Sequence, residues 1–259
     1  MTQDPHVLTR PPEIDLDSQL DALAVRYRKA SGPGIALLNT LGLQAETMID
    51  RLPVPIRDRL SVVTESALTQ AMRAAHFSRR AVPDQSRQVN ALVAGAMGAA
   101  GGFGGLATSM IELPATTTML LRSIQGVAVK HGFDPASESV QFDCVRVLAD
   151  GGPLTSDDGA DTGFFTTRLS VTGPAMRTLV SRVLPGLSES LGRKLATRTV
   201  PVLGAVTGAA TNYVYAQYYQ DLAHVGFGLR KLALETDMSY DLVVDNFVEK
   251  LRGNPRQPL

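Results

Sequence analysis

An all-α fold is what this chain predicts, and three observations carry it. Apolar residues recur at three- and four-residue spacing along much of its length. No stretch keeps the two-residue alternation of a strand for more than a few residues. Gly and Pro clusters punctuate the periodic segments where helices are expected to stop. A chain of 259 residues can bury a large core. The expected organisation is a flexible lead over residues 1–13 with Pro5, Pro11 and Pro12, one multi-helix domain over 14–252, and a short tail over 253–259.

The first helix is expected from Ile14, with Leu16, Leu20, Leu23, Ala24 and Tyr27 on one face. Asp15, Asp17 and Asp21 stand early and Arg26, Arg28 and Lys29 late, which suits the helix dipole. Ser31 to Gly34, "SGPG", reads as a break, followed by a short helix to about Asp50 and a second break at "LPVPI". A longer helix is expected from Ile56 to about His76, with Leu60, Val63, Ala67, Ala71 and Ala74 on its apolar side. Beyond a linker at Pro83 comes a glycine-rich segment, and then Pro114, which fits the first turn of a new helix. That helix should end at "KHGFDP": Lys130 and His131 face the negative end, Gly132 takes a left-handed cap, and Asp134-Pro135 starts the next helix. Val140, Cys144, Val147 and Leu148 then share a face. Gly151 to Gly163 reads as a surface loop, helical pattern returns from Phe164 with interruptions at Gly173-Pro174 and Pro185, and it resumes at Val200. The last helix is expected to begin at Ser239, with Leu242, Val243, Phe247 and Leu251 inward, and to stop at "GNPRQP".

The glycine segment "GAMGAAGGFGG", Gly95 to Gly105, invites three readings. Gly102, Gly104 and Ala107 satisfy a loose dinucleotide fingerprint, but no strand precedes them, and no Asp or Glu lies between Glu112 and Asp134. A Walker loop fails too, because the next lysine is Lys130. A membrane span has the length, with 24 uncharged residues between Arg87 and Glu112, yet Ala and Gly dominate and Trp is absent. Basic residues precede both uncharged segments (Arg79, Arg80 and Arg87; Arg193, Lys194 and Arg198), so two simple spans would enter from the same side. Shallow, reversible lipid contact fits better than fixed spanning. The third reading is a packing stripe: Gly95, Gly98, Gly102 and Gly105 recur at three and four residues, and a helix bare of Cβ atoms there lets another helix come close. The partner is expected in "VPVLGAVTGAATNYVYAQYY", where Gly204, Gly208, Thr211, Asn212, Tyr215 and Tyr219 share a face. Each interior helix glycine costs about 1 kcal/mol relative to alanine, so contacts that a larger residue forbids must compensate. Two glycine-striped, closely packed central helices are therefore the expected heart of the fold.

The order of these features resembles the EcsC family of bacterial proteins. The matching residues are Gly95 to Gly105, Glu112-Leu113-Pro114, Arg122, the corner Gly132-Phe133-Asp134, and Gly204, Gly208 and Asn212-Tyr213, and the likeness is strongest over residues 56–235. Glu112 stands where the family usually has aspartate, and His131 where a tyrosine often stands. The family's namesake is encoded beside components of an ABC transport system. The resemblance thus implies a helical protein, cytosolic or membrane-peripheral, near transport or envelope processes, and it implies no reaction.

Composition agrees. Hydrophobic residues make up 44% and charged residues 19% of the chain, which leans toward burial or a lipid surface. Lys plus Arg and Asp plus Glu are 25 each, so no basic field invites nucleic acid. The single Cys144 excludes an intramolecular disulfide, and the first twenty residues lack a secretory pattern, so a cytoplasmic address is expected, at the inner face of the membrane where lipid is bound. G-x-S-x-G, S-x-x-K and H-E-x-x-H are missing, His6, His76, His131 and His224 are scattered, and "DDGAD" lacks the calcium-loop register. His76 and His131 are expected to compensate helix dipoles at helix ends, and Cys144 to be core. No catalytic residue, metal or cofactor is expected. The strongest polar set is Glu112, Arg122 and Asn212, each in or beside an uncharged region, as a polar pocket or as structural pairs. The expectation is a non-enzymatic protein whose partner is membrane lipid or a membrane protein. The alternatives are an enzyme of lipids or small molecules with Glu112 as acid or base, and a soluble carrier of an apolar ligand.

Overall fold

The structure is a computed structural model, and it describes residues 15–40, 54–81, 83–103, 105–149 and 204–253. Among these residues there are seven helices and no strand, as expected: α1 Leu16–Thr40, α2 Val54–Ala81, α3 Arg87–Phe103, α4 Gly105–Lys130, α5 Glu138–Ala149, α6 Gly204–Glu235 and α7 Tyr240–Arg252. The long α6 is the axis. α3, α1, α4, α5 and α7 all pack against it, and the contact with α3 is the most extensive in the bundle. The core gathers around it, with Tyr215, Leu222, Phe227 and Leu229 of α6, Ile124 of α4, Cys144 of α5 and Phe247 of α7 almost fully buried.

Local signals place several boundaries correctly. α1 buries Leu20, Ala24 and Tyr27, the face its periodicity marks. Ser239 caps α7, its side chain accepting from the Leu242 N–H, and Gly253 closes the helix in the left-handed region at φ 73°. Gly132, at φ 85°, turns the chain after α4.

Other boundaries differ from expectation. The "SGPG" segment does not break the first helix: α1 continues through Gly32 and Pro33 to Thr40. An interior proline costs roughly 3 kcal/mol, and the residues that α1 buries, Leu20, Ala24, Tyr27 and Ala30, all precede it. Pro114 likewise lies inside α4 rather than at its start. One carbonyl of the preceding turn loses its donor, and the Thr118 hydroxyl bonds the Pro114 carbonyl at 2.7 Å. Gly105 opens α4 instead of continuing the stripe of α3, because α3 ends at Phe103. Pro135 is not the first residue of α5. Asp134 closes a turn, its Oδ1 accepting from the Ala136 N–H at 2.9 Å, and Ser137 becomes the cap, accepting from the Val140 N–H. In α2 the buried face carries Thr64, Leu68, Ala71 and Ala75, while Ala74 is exposed; in α7 Leu242 is exposed and Val244 and Val248 are buried in its place. The expected break at "LPVPI" is shorter than its sequence suggests: α2 already begins at Val54 and carries Pro55 in its first turn, where a missing N–H costs nothing. The remainder of the expected short helix, residues 41–50, the first two residues of that break, the 151–163 loop and the interrupted pattern over 164–200 lie outside the described residues. Among the described residues no helix is long and apolar enough to cross a membrane.

Candidate functional site

The site begins where α3 meets α6. α3 runs antiparallel to α6, with Gly98 at Gly208, Asn90 at Gln220 and Arg87 at Asp221. At Gly98 the two backbones nearly touch: a Cβ built there would stand 2.1 Å from the Gly208 carbonyl oxygen and 2.8 Å from Asn212 Nδ2. Only a residue without a Cβ permits this approach, which is the physical reason for glycine at that position. Gly95 is less constrained, its nearest atom being the Ala209 oxygen at 3.4 Å. Gly102 lies in α3 and Gly204 opens α6; what packs around these two, and around Gly105, falls outside the described residues.

This contact gives α3 an unusual sidedness. Its buried face is built of small residues, Ala91, Ala94, Gly95, Gly98 and Gly101, while the larger Val89, Leu92 and Val93 turn outward with Ala96 and Ala100. Leu92 is 64% exposed and Val93 45%. Soluble helices ordinarily bury their larger apolar residues. Here the demand for close approach to α6 has reversed the choice.

At the other end of the α3–α6 pair lies a polar cluster. The Asp221 carboxylate bridges Arg26 of α1, at 3.2 Å, and Arg87 of α3. Gln220 accepts from Asn90 at 3.3 Å and donates to the Ala216 carbonyl at 2.8 Å. Burial pushes the Asp221 carboxyl upward from its ordinary range, and the guanidiniums of Arg87 and Arg26 oppose that shift. One turn along, His224 Nδ1 and His131 Nε2 stand 3.0 Å apart, so one ring donates and the other accepts. Burial lowers His224 to about 3, with Arg26 and His131 adding to the effect, and burial also lowers His131. His131 is therefore a neutral hydrogen-bond partner at neutral pH, not the cation at a helix end that its position suggests.

The set Glu112, Arg122 and Asn212 is not gathered in one place by the described residues. Arg122 donates to the Pro83 carbonyl at 3.3 Å and approaches Asp84 at 4.0 Å, near the Asn90–Gln220 level. Asn212 is fully buried beside Gly98, eight residues up α6 from Gln220, about 12 Å at the helical rise. Glu112 is on α4, and its side chain lies outside the described residues. The corner Gly132-Phe133-Asp134 has a clear role: Phe133 packs on Phe227 with ring centroids 5.6 Å apart, and the Arg230 guanidinium stacks over Phe133 at 4.8 Å. The Asp221 cluster escaped sequence reasoning. One signal could have found it, since Asp221 is the first charge after the uncharged run from Thr199 to Gln220.

Comparison with known proteins adds a family. The model of the EcsC protein family matches residues 42–157. That range takes in the glycine segment, Glu112, Arg122 and the Gly132 corner, and it leaves out Gly204, Gly208 and Asn212. A Bacillus subtilis (strain 168) relative described as uncharacterized protein YdbA is 29% identical over 123 residues. The match spans 44% of this chain and 44% of the relative, less than half the length of either. No solved structure matches the chain. Residues 42–157 of this chain are an EcsC family segment.

Proposed function

We propose that this protein acts by binding rather than by catalysis, and that it associates reversibly with a phospholipid surface through the outer face of α3. The observation that carries the reading is the reversed sidedness of that helix, with Val89, Leu92 and Val93 outward and glycine and alanine inward. Val206 of α6 is a further exposed apolar residue, at 60%. Fully burying a Val or Leu side chain contributes about 1.5–3 kcal/mol. Scaled by their exposures of 40%, 64% and 45%, Val89, Leu92 and Val93 together offer about 2–4 kcal/mol on leaving water. That supports reversible contact and not permanent anchoring. Envelope or transport processes are the setting that the EcsC likeness suggests for such a surface.

Flotation of the full chain with phosphatidylcholine vesicles, and with vesicles containing phosphatidylglycerol, at low and high salt tests the reading. The expected result is recovery in the lipid fraction that survives high salt, because apolar contact is not screened. A Leu92→Asp, Val93→Asp double variant should lose recovery while keeping the melting temperature of the parent. No recovery with either lipid at either salt, or full recovery of the double variant, would defeat the proposal.

A further inference from the structure

Away from α3, at the far end of α6, an open cleft of about 400 Å³ lies between α5, α6 and the start of α7. That volume lies in the range of small-molecule sites, ~300–1,000 Å³. Its floor is apolar, with Phe142, Ala233, Leu234 and Met238. Its wall carries the guanidiniums of Arg146 and Arg230 and the carboxylate of Asp143. Asp143 accepts from Arg230, and its other oxygen stands in an ion pair with Arg146 at 3.2 Å. Arg230 also donates to Ser139 Oγ at 3.1 Å and lies over the Phe133 ring. A guanidinium has five N–H donors, and these two bonds leave Arg230 with donors to spare on a fork already fixed in orientation by Phe133, Asp143 and Ser139. The Tyr240 hydroxyl accepts from Arg146 at 3.4 Å and keeps its own hydrogen to donate. Burial raises the Tyr240 phenol above its usual range, so that hydrogen is present throughout the physiological pH range.

Spare planar donors on Arg230, a phenol hydrogen to donate and an adjoining apolar floor are what a compact amphiphilic anion requires. We propose that this cleft binds a small amphiphilic oxyanion, its phosphate or carboxylate head against Arg230 and Tyr240 and its short apolar body over Phe142, Ala233, Leu234 and Met238. This site is independent of the membrane reading of α3, which uses none of these residues.

Isothermal titration calorimetry of the full chain with octyl phosphate, octanoate, inorganic phosphate and neutral octyl glucoside tests the proposal, each alkyl probe kept below its micelle concentration. Octyl phosphate or octanoate should bind at least about tenfold more tightly than inorganic phosphate or octyl glucoside, since each control lacks one half of the recognition. Which of the two anions binds more tightly names the head group. Arg230→Gln should weaken binding at least about tenfold, the effect of losing a charge-assisted hydrogen bond, with Arg230→Lys intermediate because lysine keeps the charge and loses the fork. Leu234 is 70% exposed, so Leu234→Ser leaves the fold intact; it removes apolar contact without adding charge, and should weaken the alkyl anions while sparing inorganic phosphate. Absence of binding by both alkyl anions, or unchanged affinity in Leu234→Ser, overturns the proposal even where Arg230→Gln fails to fold. Loss of alkyl-anion binding in Leu234→Ser with an unchanged circular dichroism spectrum supports it.

Discussion

Replacing Gly98 by alanine adds a single methyl group at the tightest point of the bundle. The new Cβ would sit 2.1 Å from the Gly208 oxygen and 2.6 Å from the Gly208 carbonyl carbon. Against an ordinary contact limit near 3.4 Å the shortfall is about 1.3 Å. Both atoms are backbone, so no rotamer change relieves the clash, and α3 and α6 must move apart. Overpacking of this kind costs roughly 1–3 kcal/mol, and the immovable neighbours place Gly98→Ala at the upper end. Alanine's better helix propensity offsets about 1 kcal/mol, which leaves a net loss of about 2 kcal/mol. For a chain of this size that corresponds to a fall of about 4–8 °C in melting temperature. Gly95→Ala is the matched control, since its Cβ would meet the Ala209 oxygen at 3.4 Å and Tyr213 Cβ at 3.6 Å, both ordinary contacts. It should be neutral, or stabilising by up to about 1 kcal/mol. Calorimetric melting of the two variants beside the parent decides the matter. If Gly98→Ala melts at or above the parent temperature, or if the two variants fall equally, the close approach at Gly98 is not what the structure says it is.

Two further predictions concern the polar end of the same helix pair. Asp221→Asn leaves Arg26 and Arg87 facing each other without their shared carboxylate, and it should destabilise the fold by about 1–3 kcal/mol in urea titration. This is less than the ~3–5 of a fully buried pair because the two arginine side chains are 40% and 41% exposed. His224 gives a pH signature. Its folded pKa of about 3 lies below the unfolded value near 6.5, so between these values the unfolded chain binds more protons, and stability falls as the pH drops from 6.5 toward 3. His224→Gln should flatten that slope in melting experiments between pH 7 and 4; an unchanged slope would show that the imidazole is not held neutral in the fold.

The amino-acid pattern by itself determined the helical class, the inward face of α1, the stop at Gly132, the cap at Ser239 and the need for close packing around the glycines. These are local properties: apolar period, left-handed glycine, capping hydroxyl and the energetic cost of interior glycine. They can be read within a few residues of where they act. Tertiary structure decided the rest. α1 and α4 continue through Pro33 and Pro114, although those prolines read as helix boundaries in isolation. In α4 the burial of Leu120, Leu121 and Ile124 beyond Pro114 outweighs one lost backbone bond. The polar set of Glu112, Arg122 and Asn212 looked like one place because its members share an uncharged context, yet Arg122 and Asn212 stand at different levels of the bundle. Asp221, Arg26 and Arg87 come from three helices, and no spacing along the chain links them. The sidedness of α3 was hidden for a related reason. A helix apolar all round has no period that says which face turns inward, and only the approach of Gly208 to Gly98, 110 positions apart in the chain, assigns the small residues to the core and leaves Leu92 and Val93 outside.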